Sequence, residues 1–168
     1  SGSRKPAEDG TLLILAGGDA AQIAAVEPLL LAMGKQVIRC GGTGRGSAMK
    51  MAVNLLLATM MAGLAEAVNL GERCGLDPAA LLDTVLAGPL ACGLFGLKRD
   101  MLVTHAFPPQ FPYRHMAKDL GFILETARDA GAPLPLGRTV AGLYRPDAEP
   151  ALADQDFAAV KRVLEAMA

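Results

Sequence analysis

The chain is poor in the residues that build most metal and disulfide sites. Among 168 residues there are two histidines, three cysteines and no tryptophan, and aromatics make up only 4%. Cys40, Cys74 and Cys92 are an odd count without a CxxC pair, a pattern of reduced thiols and neither a disulfide framework nor a zinc site. His105 and His115 stand in no cluster with metal-ligand spacing, so each reads as a surface or loop residue and no metal is expected. Charge of one sign is missing too. Sixteen basic against seventeen acidic residues, scattered along the chain, leave no electrostatic footprint for nucleic acid or an acidic membrane surface. No signal peptide opens the sequence, because Arg4, Lys5, Glu8 and Asp9 precede the first short apolar run. The one long apolar stretch, Met51 to Leu70, is interrupted by Asn54, Glu66 and Asn69, which predicts a buried core helix and no membrane span. A cytoplasmic protein is expected.

What is present is apolar and helical. Hydrophobic residues reach 52%, enough to bury a core. After the polar, turn-rich SGSRKPAEDG, the segment TLLILAGG predicts a short buried strand. Asp19 then caps a helix that contains Pro28 and closes at Gly34, and QVIRCGG predicts a second strand. Strand, helix and strand from Thr11 to Gly42 make a parallel βαβ unit. Two strands cannot cover their own faces, so the unit belongs to something larger. Beyond Gly44 only helices are expected: a long one over Arg45 to Cys74 closed by Gly75, one capped by Asp77 through Leu86, and one from about Leu90. After the proline-punctuated loop FPPQFPY comes an amphipathic helix in HMAKDLGFILETARDAG, with Met116, Leu120, Ile123, Leu124 and Ala127 on one face. A helix over Pro135 to Tyr144 and a last one, FAAVKRVLEAMA, capped by Asp156, complete the chain. RPDAEPALADQD is expected to be a mobile surface loop.

The chemistry concentrates in GGTGRGSAMKMAVNLLLATMM. Lys50 is the only charged side chain from Gly46 to Ala65, and Ser47, Lys50 and Asn54 share one helical face. Either this short polar stripe lines a cleft, or Lys50 snorkels to the surface from a partly buried helix and the glycines only make a turn. In a cleft, glycines let backbone approach a ligand and free helix N–H groups favour a carboxylate. A desolvated lysine there can give a proton to a developing alkoxide and take one back.

Three separated blocks then resemble the β-hydroxyacid dehydrogenase family, which includes 3-hydroxyisobutyrate dehydrogenase and the glyoxylate and succinic semialdehyde reductases. The family's GxGxxxKxxxN matches Gly44, Gly46, Lys50 and Asn54; its substrate-binding Ser-Gly segment looks like SGSRKPAEDGTL; its KDL block matches Lys118, Asp119 and Leu120. The resemblance implies Lys50 as general acid/base with Asn54 its helper. It also implies substrate contacts from Ser1, Gly2, Ser3, Gly44 and Phe111, and a place by the nicotinamide of NADP or NAD for Lys118 and Asp119. Arg114 reads as a surface arginine. The wording of the first block is nearest the glyoxylate/succinic semialdehyde reductase branch, typically NADPH-dependent. The implied fold is mainly α: a 6-phosphogluconate dehydrogenase C-terminal-like helical domain over 43–168, preceded over 1–42 by the βαβ end of a Rossmann domain. The family's GxGxxG fingerprint is absent here, so the resemblance implies a fragment that does not turn over alone. A small carboxylate-bearing substrate and a homodimer or higher homo-oligomer are the implied partners. Retention of Lys50 and Asn54 argues against a non-catalytic oligomerisation scaffold, and Lys50 against an imine reductase.

Overall fold

The computed structural model describes residues 1–167 and divides into two compact units, Ser1–Asn54 and Leu55–Ala168. The protein is mainly α, with one two-stranded parallel sheet.

In the first unit the polar opening is more ordered than its composition suggests. Arg4–Glu8 forms one helical turn, α1, closed by exposed pairs of Arg4 with Glu8 and Lys5 with Asp9. Strand β1, Leu12–Ala16, pairs in parallel with β2, Gly34–Arg39, from Leu12 opposite Gly34 to Ala16 opposite Arg39. Between them runs α2, Ala20–Leu31. Its N-terminus is closed by the Asp19 carboxylate, which accepts from Ala21 N at 3.0 Å and Gln22 N at 2.9 Å. Pro28 sits inside α2, and the helix ends three residues later, before Gly34. Gly34 opens β2, a correction to its expected place as the helix terminator: a Cβ there would lie 2.4 Å from Leu12 O in the partner strand. Of α2 only Ile23 is buried, while Val26, Leu29, Leu31 and the following Met33 are exposed.

Helix α3, Arg45–Arg73, begins in the first unit and continues through the second. Its length follows from 29 residues without an internal proline, and it closes at Gly75, whose N–H reaches Glu72 O at 2.9 Å. It is long and apolar enough to cross a membrane by length and composition, but only one face is buried, including Ala58, Met61, Ala65 and Val68. Leu56 and Leu70 are exposed, so the expectation of a buried core helix is corrected to one with an open apolar face: a mostly apolar sequence conceals which face meets the core.

In the second unit α4, Pro78–Ala87, starts where Asp77 accepts from Ala80 N and Pro78 fills the first helical position. Helix α5 spans Gly93–Thr104, starting later than Leu90 because Cys92 is extended. Helix α6, Tyr113–Asp129, buries Tyr113, Met116, Asp119, Leu120, Ile123 and Ala127 at helical spacing, with Leu124 at the half-buried margin. Helix α7, Pro135–Ala141, stops short of the expected Tyr144. In place of a featureless loop, the next segment carries a 3-10 turn at Pro150–Leu152 with Leu152 buried. Asp156 caps a second 3-10 turn, Phe157–Ala159, that leads into α8, Val160–Ala166. Ala168, the last residue of the expected helix, lies outside the described residues.

Candidate active site

The site in the first unit is built where α3 meets the end of β1. Gly46 lies so close to the strand that a Cβ there would stand 2.5 Å from Leu15 O, and a Cβ on Gly17 would meet Gly46 N at 2.6 Å. Both positions therefore take glycine for close approach of backbone. Gly44, with φ +85°, has open space around it and turns the chain into α3 through the left-handed region. With the entry fixed in this way, the first turns of α3 point Ser47, Lys50 and Met51 into a cleft of about 410 Å³. Ser1, Ile14, Leu15 and Gly46 complete its wall. Ser1 is held by pairing with β1: Leu13 N donates to Ser1 O at 2.9 Å, and the Ser1 amino group donates to Leu13 O.

Lys50 is half-buried, between the two placements left open by spacing. Among the described residues its ammonium has no ion-pair partner. Asn54, one turn further along α3, is 1% exposed and engaged in the interior. The cleft thus joins two serine side chains, an uncommitted ammonium and an apolar floor, a combination with the chemistry to take a small anion.

The remaining expected residues are distributed as follows. Gly2 has φ +134° beside Leu12 and Pro6, Ser3 precedes α1, and neither lines the cleft; nor does Gly44. Phe111, Lys118 and Asp119 belong to the second unit. Phe111 is half-buried, with its ring edge-on to Phe157 at 5.8 Å and to His115 at 6.0 Å. Lys118 is exposed, 3.2 Å from the carboxylate of the buried Asp119 and above the Phe122 ring. Arg114 pairs with Asp154 at the surface, as expected of a surface arginine.

Two buried charges in the second unit, Lys98 and Lys161, were not singled out by sequence, and Asp156 was marked only as a helix cap. Lys98 and Asp156, 3% and 0% exposed, form an ion pair at 2.8 Å. Lys161 is fully buried, with its ammonium 2.8 Å from Glu72 Oε2, 3.0 Å from His105 Nε2, and bonded to Glu165. Glu72, His105 and Glu165 offer ligand atoms within 4.8 Å of one another, a metal-like grouping hidden by its sequence separation, and the Lys161 ammonium already supplies the positive charge among them.

Comparison with known proteins follows this geometry. Residues 44–164 match the family model described as NAD-binding of NADP-dependent 3-hydroxyisobutyrate dehydrogenase, and residues 1–42 match the NAD binding domain of 6-phosphogluconate dehydrogenase. The chain is 36% identical to glyoxylate/succinic semialdehyde reductase 2 of Arabidopsis thaliana, over 99% of its own length and 46% of that protein. It is 34% identical to mitochondrial 3-hydroxyisobutyrate dehydrogenase of Bos taurus, over 98% and 51% respectively. The solved structure of Mycobacterium tuberculosis 3-hydroxyisobutyrate dehydrogenase with L-serine superposes with a TM-score of 0.88 at 32% identity, covering 98% of this chain and 58% of that one. The chain spans about half the length of the curated relatives it matches.

Proposed function

The chain belongs to the β-hydroxyacid dehydrogenase family, and from that premise we propose that it is the carboxylate-binding, proton-handling part of an NAD(P)-dependent dehydrogenase of small hydroxy acids. The observation that carries this reading is the uncommitted ammonium of Lys50 in one cleft with Ser1. In the reducing direction Lys50 gives its proton to the carbonyl oxygen of a short aldehyde or keto acid as that oxygen becomes an alkoxide. In the oxidising direction the neutral amine takes the hydroxyl proton. Ser1 orients the carboxylate, and Gly44 opens the helix that carries the lysine. Asn54 serves as the helper of Lys50, and Phe111 is a substrate contact.

A bound NAD(P) supplies or accepts the hydride. In this reading Lys118 and Asp119 stand by its nicotinamide end. The N–H groups that a pyrophosphate would seek at α2 are already taken by the Asp19 carboxylate. We therefore read residues 1–42 as the end of a larger nucleotide-binding domain and 43–168 as the helical domain. Exposed Val26, Leu29, Leu31 and Met33 support further structure over α2. Exposed Leu56 and Leu70, two heptads apart on α3, support a homo-oligomer.

Turnover by the full-length protein, with glyoxylate, succinic semialdehyde and 3-hydroxyisobutyrate, each paired with NADH or NADPH or their oxidised forms, tests the reading. One of these short acids is expected to react with a kcat/KM at least about a hundredfold above a matched substrate lacking the carboxylate. Equal turnover of the two would refute the carboxylate clamp.

A further inference from the structure

We propose that the buried Lys98–Asp156 pair is a positioning device for Phe111, fixing a ring in a proline-rich loop so that it meets the substrate; this rests on the reading of Phe111 as a substrate contact. Both oxygens of Asp156 are fully used. Oδ1 lies 2.8 Å from Lys98 Nζ and accepts from Ala158 N at 3.1 Å. Oδ2 accepts from Lys98 Nζ at 2.9 Å and from the backbone N–H groups of Gln110 and Phe111, each at 3.0 Å. The Phe111 carbonyl is held as well, accepting from Phe157 N at 2.9 Å. Lys98 reaches the same loop a second time, through Gln110 Oε1 at 2.9 Å, and lies 5.0 Å from the centre of the Phe157 ring that packs against Phe111.

A buried ion pair is a poor source of stability, because desolvating two charges offsets most of their attraction and an apolar pair of equal volume often serves as well. What an apolar pair cannot do is accept two adjacent backbone N–H groups from a loop whose prolines interrupt its helical bonding. Asp156 does this from full burial, for a side chain that is itself left half-exposed. The arrangement is costly for holding a loop and suited to holding a ring at a fixed point.

The test uses the full-length protein and two variants. Asp156→Leu alone strands the Lys98 charge, so Lys98→Met/Asp156→Leu is made beside it, an apolar pair of similar volume that removes both charges and the acceptor of the Gln110 and Phe111 N–H groups. Amide exchange in a peptide covering Phe107 to Tyr113 is expected to accelerate about tenfold or more in the double variant, with the rest of α6 unchanged. KM for the carboxylate substrate is expected to rise about tenfold while kcat stays within about threefold. The Phe111→Ala effect on KM should largely vanish in the double-variant background, as coupled residues require. A folded double variant with native exchange and native KM overturns the proposal. So does a double variant that fails to fold, since the pair is then structural. Faster exchange with KM unmoved, while Phe111→Ala itself raises KM, also overturns it. If Phe111→Ala leaves KM unmoved, the substrate role of Phe111 is what fails, and accelerated exchange still credits the pair with holding the loop.

Discussion

Gly44 and Gly46 stand two residues apart before the same lysine, yet they are glycines for different reasons. Gly46 is fixed by space, with Leu15 O where a Cβ would go, and Gly44 by its backbone angle. Gly46→Ala must push the start of α3 off β1, and should lower stability by about 2–3 kcal/mol. Gly44→Ala meets no atoms and should cost only the strain of a left-handed alanine, about 1 kcal/mol. Chemical denaturation of the two variants checks the order; a larger loss at Gly44 would reverse the assignment. At this scale the sequence was informative where chemistry is local. Lys50 stood out because no other charge interrupts its stretch, and Ser47 could be placed beside it by spacing alone. Lys98 and Lys161 did not stand out, and Asp156 did so only as a helix cap. Lys98 pairs with Asp156 and Lys161 with Glu72 across long stretches of chain, and a charged residue on a helix reads as solvated until the opposing element is seen.

Among the elements, boundaries followed their capping chemistry. Asp19 and Asp77 start α2 and α4 as their sequences imply, and α3 closes at Gly75. Where the terminating signal was ambiguous, the ends shifted: Gly34 looked like a helix stop and is a strand residue whose missing side chain admits the neighbouring strand. The connections of the second unit rest on its tyrosines, which composition had presented only as scarce. Tyr113 donates to Leu143 O at 2.5 Å and accepts from Arg145 N at 3.0 Å; Tyr144 donates to Phe157 O at 3.1 Å. Their rings lie 5.0 Å apart, so the two hydroxyls tie the start of α6 and the turn before α8 to the segment after α7. Burial raises the pKa of Tyr113, against the lowering by the hydrogen bond from Arg145 N, and burial raises that of Tyr144 well above its ordinary value of 10.0. Since the neutral forms are favoured in the folded state and both phenols ionise near 10.0 when unfolded, their contribution is complete below that pH and declines as pH rises past it. With only two tyrosines in the chain, tyrosinate absorbance is expected to rise together with loss of helical circular dichroism in alkaline titration. Separate titration of either phenol near 10.0 in a still-helical protein would contradict their anchoring role.

For the whole molecule, the mainly helical fold with a parallel βαβ opening was legible because period and capping repeat over many residues. Which faces of α2 and α3 are left open was not, since apolar residues surround both helices and periodicity cannot say which neighbours are present. The half-length match to the relatives and the open face of α2 support the same reading of a chain that works within a larger nucleotide-binding enzyme. In the mechanism proposed for that enzyme everything turns on the proton carried by Lys50. Lys50→Ala and Lys50→Arg, compared with wild type in the full-length protein, test this most directly. The account predicts a fall in kcat of about 10² to 10⁴ for both, with nicotinamide cofactor affinity unchanged. A kcat within severalfold of wild type in the folded Lys50→Ala protein would contradict it.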